Sequence, residues 1–123
     1  MVVQSLFPIL LTRDLPRLSR FYEQALDGSV DYRFEDAGED AYVSLTIGEA
    51  SLGIGKDPAA PDASVGDRVA LWFYVDDVDS AFDAFLSLGG VPVQPPADMP
   101  WGERVARTRD IDGNLVNLGA QPA

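Results

Sequence analysis

The sequence predicts an α+β fold built from two β-α-β-β-β modules. Each half of the 123-residue chain opens with an apolar strand, an acidic turn and an amphipathic helix. Asp14 and Asp77 occupy equivalent turn positions, 63 residues apart. A repeat of about 60 residues is longer than the units of roughly 20–50 residues that build solenoids. The two halves are therefore interpreted as a duplicated module whose two sheets combine.

The first module, about residues 1–56, begins with an apolar stretch at 6–11 that predicts a strand. Asp14 is then positioned as an N-cap, with Pro16 just inside a helix that ends at Gly28. The apolar residues at helical spacing are Leu15, Leu18, Phe21, Tyr22, Ala25 and Leu26. Turn-rich stretches then separate three predicted strands, at 30–35, 41–47 and 50–55.

The second module, about residues 68–123, repeats this order. A strand at 69–75 precedes the acidic turn at Asp77, and a helix is predicted at 78–88. Its apolar stripe consists of Val78, Ala81, Phe82, Phe85 and Leu88. The remaining strands are predicted at 91–94, 103–109 and 115–119. The stretch 57–67 is rich in Pro, Ala and Asp and is interpreted as the linker within a single domain, 1–123.

The composition argues against several kinds of function. Twenty acidic residues against nine basic ones give a net charge of −11, which disfavours nucleic-acid binding and suits solubility or a cationic ligand. The chain has neither cysteine nor histidine, so it has no thiolate nucleophile, no disulfide framework and no imidazole base or metal ligand. It also has no apolar run of roughly 20 residues and no signal peptide, so a cytoplasmic location without membrane contact is expected.

Three stretches resemble the vicinal-oxygen-chelate superfamily, which contains glyoxalases, extradiol dioxygenases, and fosfomycin- and bleomycin-resistance proteins. RDLPRLSRFYEQAL and VDDVDSAFDAFLSLGG are similar to its two helices, and PWGERVARTRDIDGNLVNL is similar to its closing hairpin. The WG followed by DIDGN is most similar to the bleomycin-resistance branch. The resemblance covers nearly the whole chain, and it implies a curved, cup-shaped mixed sheet with the helices outside, usually within a homodimer.

The resemblance also implies where a metal ion would be bound. The metalloenzymes of the superfamily hold a divalent ion with a His or Gln on the first strand and a Glu on the last strand of each module. Counting from the shared turns places these positions at Phe7, Ala70, Asn117 and, within one or two residues, Gly53. This is a poor ligand set for such an ion. No metal and no other cofactor are therefore expected. This expectation would be overturned if Glu49 supplied a metal ligand.

Alternation along the strands identifies the candidate ligand-binding residues. In each strand one set of side chains packs on a helix and the other set faces the expected cup. The cup-facing set, with Trp101 at the rim, is Phe7, Tyr42, Ser44, Trp72, Tyr74, Trp101 and Asn117. Aromatic rings with a few polar groups suit a small-molecule pocket and stack on planar or cationic ligands. The same rings are compatible with a plugged barrel or a dimer interface, and Trp101 with packing on its own hairpin.

Two further polar groups have alternative interpretations. Asp110, Asp112 and Asn114 are spaced somewhat like a calcium loop, but they lack its length and its closing Glu, so turn formation is the better interpretation. Glu103 and Arg104 are either a surface pair or ligand contacts.

The leading hypothesis is a metal-independent protein that binds a small organic molecule and has no catalytic residues. The resemblance narrows the ligand to a bulky aromatic or cationic antibiotic, such as a bleomycin-type compound, with resistance by sequestration. The alternative is a metal-independent isomerase or lyase of the superfamily, which needs a cup carboxylate with a raised pKa. A third hypothesis is a protein-interaction module, which an exposed sheet without any cavity would favour.

Overall fold

The computed structural model describes residues 1–61 and 67–121. Much of the predicted linker (62–66) and the last two residues (122–123) lie outside this described part. The elements follow the order β1 (Ile9–Thr12), α1 (Leu15–Ala25), β2 (Ser29–Asp36), β3 (Glu39–Ile47), β4 (Ala50–Lys56), β5 (Leu71–Tyr74), α2 (Val78–Ser87), β6 (Val91–Asp98), β7 (Arg104–Arg109) and β8 (Leu115–Ala120). The chain divides into two compact units, Met1–Pro61 and Asp62–Ala123.

Helix α1 of the first unit begins and ends as its sequence predicts. The Asp14 carboxylate accepts a hydrogen bond from the backbone N–H of Arg17 at 3.2 Å, and Pro16 lies in the first turn. At the other end, the backbone N–H groups of Leu26 and Gly28 both donate to the carbonyl of Tyr22. The last turn of the helix is thereby closed before the chain enters β2.

The strands of the first unit form a four-stranded mixed sheet, sheet A, in the order β1-β4-β3-β2. β1 pairs with β4 in parallel, and the other neighbours are antiparallel. Ala37 and Gly38, with φ values of 54° and 81°, make the tight turn between β2 and β3. The core between α1 and one face of this sheet is made of Leu15, Leu18, Phe21, Tyr22, Val43, Leu45, Leu52 and Ile54.

The second unit repeats this plan as sheet B, in the order β5-β8-β7-β6, with β5 and β8 parallel. Asp77 caps α2 by accepting a hydrogen bond from the backbone N–H of Ser80 at 3.1 Å. The core between α2 and one face of sheet B is made of Val78, Phe82, Phe85, Ala106, Val116 and Leu118. The α+β class and the two β-α-β-β-β modules are thus confirmed. That the two sheets combine into one cup stays a prediction.

Several strand boundaries differ from the predicted ones. β6 continues to Asp98 through Pro95 and Pro96, although prolines usually end a strand. It pairs only with β7, so its other edge needs no N–H donors and the prolines are tolerated. β1 and β5 have four residues each and are shorter than the predicted strands at 6–11 and 69–75. Neither helix in the described residues is long and apolar enough to cross a membrane.

Candidate functional site

One face of sheet B, opposite α2, carries the predicted ligand-binding residues of the second unit. The pairing of β5 with β8 places Trp72 beside Asn117 and Tyr74 beside Gly119. The side chains of Trp72 and Tyr74 are 43% and 53% exposed, and their ring centroids lie 5.8 Å apart at an interplanar angle of 63°. We call this surface the aromatic face and define it by Trp72, Tyr74, Trp101, Glu103, Arg107, Asn117 and Gly119.

Gly119 leaves the space that the Trp72 indole occupies. A Cβ atom at position 119 would lie 2.8 Å from Cζ2 and 3.1 Å from Nε1 of Trp72. The first distance is too short for two non-bonded carbon atoms, so any larger residue at position 119 displaces the ring. The absence of a side chain at position 119 therefore allows the indole to lie directly against the strand.

Trp101 and Tyr74 are joined by the carboxylate of Glu103. Trp101 Nε1–H donates to Glu103 Oε1 at 2.6 Å. The hydroxyl of Tyr74 also hydrogen-bonds to Glu103, and this bond is the main reason that the pKa of Tyr74 is raised, followed by partial desolvation and the charge of Glu103. The carboxylate is thus held between two rings, and Tyr74 stays a neutral donor at neutral pH.

Replacing Glu103 by glutamine is expected to lower the pKa of Tyr74 towards its ordinary value, because the carboxylate that favours the protonated phenol is lost. Ultraviolet titration of tyrosinate measures this, with Tyr74→Phe identifying the signal among the four tyrosines. Because the folded-state pKa is raised, the bond stabilises the fold below the unfolded pKa of about 10 and this contribution disappears as pH rises through the folded value. An identical titration curve in Glu103→Gln would contradict the assignment.

A guanidinium lies on the aromatic face beside Asn117. Arg107 on β7 is paired with Asn117 on β8, and Arg107 Nε–H donates to Asn117 Oδ1 at 3.1 Å. Asn117 is only 9% exposed, so its side-chain oxygen accepts this hydrogen bond from a nearly buried position. Arg107 was not among the predicted site residues. The DIDGN turn pairs Arg109 with Leu115, and counting two residues further along each strand pairs Arg107 with Asn117. This count could have identified Arg107 from the sequence.

The positions that the resemblance assigns to a metal do not hold metal ligands. Gly53 on β4 pairs with Ile9 on β1, just as Asn117 on β8 pairs with Trp72 on β5. Gly53 therefore occupies the position in sheet A that Asn117 occupies in sheet B. Gly53 offers no side-chain donor, and the guanidinium bound to Asn117 would repel a divalent ion. Glu49 is exposed in the turn between β3 and β4, and residues 1–61 and 67–121 contain no group of three or more His, Cys, Asp or Glu side chains that could hold a metal ion. These residues do not fit a divalent metal.

The predicted site residues of the first unit lie on or next to sheet A. Tyr42 and Ser44 are half-buried on β3, where they pair with Gly55 and Gly53. Both therefore share the face opposite α1. Phe7 precedes β1 and is 46% exposed. That these three side chains bind a ligand stays a prediction.

Glu103 and Arg104 have separate roles. Arg104 Nε and Nη2 donate to the two carboxylate oxygens of Asp79 in α2, at 2.9 and 3.0 Å, and Nη1 donates to Asp98 at 3.1 Å. The hydrogen bond from Arg104 also lowers the pKa of Asp79. Arg104 thus joins α2 to β7 and β6 as a structural ion pair, whereas Glu103 belongs to the aromatic face.

The DIDGN stretch is a hydrogen-bonded turn, as its sequence predicts. Asp110 is 1% exposed, and its Oδ1 accepts from the backbone N–H groups of Asp112 and Asn114, each at 2.9 Å. Its Oδ2 accepts from Asn114 Nδ2, also at 2.9 Å. Both carboxylate oxygens are therefore used inside the turn that sets the β7–β8 register.

A recess borders the aromatic face at Tyr74. It measures about 450 Å³ and is lined by Tyr74, Val75, Asp76, Ala120 and Gln121. Its position at the ends of β5 and β8 places a concave surface next to the exposed rings.

Comparison with known proteins identifies one family over nearly the full length of the chain. A family profile described as the Glyoxalase/Bleomycin resistance protein/Dioxygenase superfamily matches residues 4–118. The uncharacterized protein YraH of Bacillus subtilis strain 168 is 26% identical over 117 residues, which is 89% of this chain and 91% of YraH. A putative glyoxylase, CFP32, of Mycobacterium bovis is 29% identical over 88% of this chain, which spans only 41% of that protein.

Solved structures share the fold. The crystal structure of a bleomycin resistance determinant encoded on the transposon Tn5 superposes with a TM-score of 0.70. The match covers 98% of this chain and 100% of that one, at 21% sequence identity.

Proposed function

Because the chain belongs to the glyoxalase/bleomycin resistance protein/dioxygenase superfamily, we propose that it is a metal-independent protein that binds a small organic molecule. The proposed ligand is a bulky aromatic or cationic antibiotic, such as a bleomycin-type compound, and the proposed role is resistance by sequestration. One observation carries this proposal: Trp72 and Tyr74 stand side by side and solvent-exposed, next to a carboxylate held by Trp101.

The chemistry of the aromatic face suits such a ligand. Exposed indole and phenol rings offer flat apolar surfaces on which a planar ring system or a cation can stack. Glu103 keeps acceptor capacity after its two hydrogen bonds, because a carboxylate has about four lone-pair sites. The net charge of −11 further attracts a cationic molecule. The recess beside Tyr74 favours a small molecule over a flat protein surface.

Metal independence is part of this proposal. It is supported by the residues at the implied ligand positions, where Gly53 provides no donor atom and Asn117 is bound by a guanidinium. A hard divalent cation needs several charged oxygens or imidazoles, and neither position supplies one. The proposal also includes a homodimer in the cytoplasm, as the resemblance and the composition imply.

Binding without catalysis is favoured over acid–base catalysis by the state of Tyr74. An isomerase or lyase without a metal needs a base poised near neutral pH. The hydrogen bond to Glu103 raises the pKa of Tyr74, so its phenol keeps its proton and is a poor base. Glu103 is itself engaged as the acceptor of the hydrogen bond from Trp101 Nε1–H.

Calorimetric titration with bleomycin and other DNA-damaging natural products tests the proposal. We expect at least one compound to bind, and Trp72→Ala to weaken that binding by about 30-fold, because losing one stacked aromatic side chain costs about 2 kcal/mol. Val69→Ala is the control, since Val69 is 77% exposed and precedes β5 outside the aromatic face. Dissociation constants above the millimolar range for every compound would refute the antibiotic proposal. Unchanged affinity in Trp72→Ala would place the ligand elsewhere.

A further inference from the structure

We propose that Arg107 anchors an oxyanion of the bound ligand, a carboxylate group in the simplest case. The inference rests on the proposed function, because it concerns the same aromatic face. Of the aromatic and cationic ligands proposed there, it selects an aromatic one that carries an anionic group. The ligand would then carry a planar ring and, at a fixed distance from it, a negatively charged oxygen pair.

The position of Arg107 relative to Trp72 supports this anchor. Trp72, Asn117 and Arg107 stand at one level on three consecutive strands, β5, β8 and β7. Neighbouring strands are about 4.8 Å apart, so the backbones carrying the indole and the guanidinium are separated by about 10 Å. A two-ring aromatic acid that lies across Asn117 spans this distance, with its ring on Trp72 and its carboxylate at Arg107.

The hydrogen bonding of the Arg107 guanidinium also supports this anchor. Asn117 Oδ1 accepts from Nε of Arg107, whereas neither terminal amino group of Arg107 hydrogen-bonds to any residue within 1–61 or 67–121. The other two arginines of β7 are held by carboxylates, Arg104 by Asp79 and Arg109 by Asp67. Arg107 is therefore oriented by a neutral amide, and no side chain in the described part of the chain compensates its charge.

The geometry of the guanidinium donors suits an oxyanion. A guanidinium presents parallel N–H groups in a rigid plane that matches the two oxygens of a carboxylate. Fixing Nε by Asn117 reduces the side-chain freedom that would otherwise be lost when a ligand binds. Asn117 is thus a positioning residue, and Arg107 is the group that contacts the oxyanion.

Nitrogen-15 NMR titrations with two probes of the same shape test the inference. The probes are 2-naphthoate and its neutral isostere, 2-naphthamide, each titrated into the full-length protein. The two indole N–H signals, from Trp72 and Trp101, report ring stacking whether or not the probe is charged. We expect naphthoate to bind at least about tenfold more tightly than the amide, the usual worth of a charge-assisted hydrogen bond.

Three variants assign that preference to Arg107. In Arg107→Met the preference for naphthoate should disappear while the amide still shifts the Trp72 signal. In Arg107→Lys, which keeps the charge without the planar fork, the preference should shrink to a few-fold. Arg68→Met, an exposed arginine of the same unit, removes one positive charge elsewhere and should keep the full preference. The chemical-shift dispersion of each variant verifies that it is folded.

The outcomes separate this inference from the proposed function. Equal affinity for both probes in the wild type, or an unchanged preference in Arg107→Met, would overturn the oxyanion anchor while leaving ring binding intact. An equal loss of preference in Arg68→Met would also overturn it, because net charge would then be the cause. If neither probe shifts either indole signal, both the anchor and binding on the aromatic face are refuted.

Discussion

Phe85→Ala is expected to lower the free energy of unfolding by about 3–5 kcal/mol, the usual cost of truncating a fully buried phenylalanine. The Phe85 side chain is 0% exposed and lies between α2 and sheet B. Its removal forfeits the burial of a whole ring and leaves a cavity that the surrounding side chains fill only partly. Urea unfolding followed by circular dichroism measures the change, which is a large share of the total stability of a domain.

Phe34→Ala is the matched control for this prediction. It makes the same chemical change on β2, at a ring that is 55% exposed, so a loss of about 1 kcal/mol or less is expected. If Phe85→Ala cost no more than Phe34→Ala, the core assignment of α2 would be wrong.

Asp110→Ala is expected to cost about 3 kcal/mol, because three donors lose a buried charged acceptor at once. The effects of the three hydrogen bonds are coupled within one turn, so they do not add fully. Asp110→Asn keeps one oxygen for the two backbone N–H groups and should lie between the wild type and the alanine variant. The same urea unfolding experiment ranks the three proteins.

Asp57→Ala controls for the loss of an aspartate in a turn. The Asp57 carboxylate accepts a hydrogen bond from the backbone N–H of Ala59 and is only half-buried. Its replacement should cost about 1 kcal/mol or less. Equal losses for Asp57→Ala and Asp110→Ala would show that the DIDGN network adds nothing to stability.

Local signals made the secondary structure predictable. Asp14 and Asp77 cap their helices through hydrogen bonds to residues three positions later, so the sequence around each helix start contains all the information needed. The end of β6 was predicted too early, since whether Pro95 and Pro96 interrupt a strand depends on its place in the sheet. Strand order is a property of the folded sheet and is not present in the local sequence.

The candidate site was predictable in part for the same reason. Alternation along β5 was enough to place Trp72 and Tyr74 on one face, opposite the buried neighbours of α2. The partners of the polar groups depend on distances across strands, which alternation does not give. The bond between Glu103 and Tyr74 and the one between Arg107 and Asn117 therefore became visible only with the sheet register.

The parallel pairing of β5 with β8 has a consequence for the order of folding events. The antiparallel neighbours in sheet B are consecutive along the chain, whereas Trp72 and its partner Asn117 are 45 positions apart (117 − 72). Closing so long a loop costs chain entropy before any contact is gained, so such pairings form slowly. We expect the β6–β7–β8 meander to form first and β5 to add last. The indole would then reach its place over Gly119 only in the final step, and a nascent or partly folded unit would have no surface on which to hold a ligand.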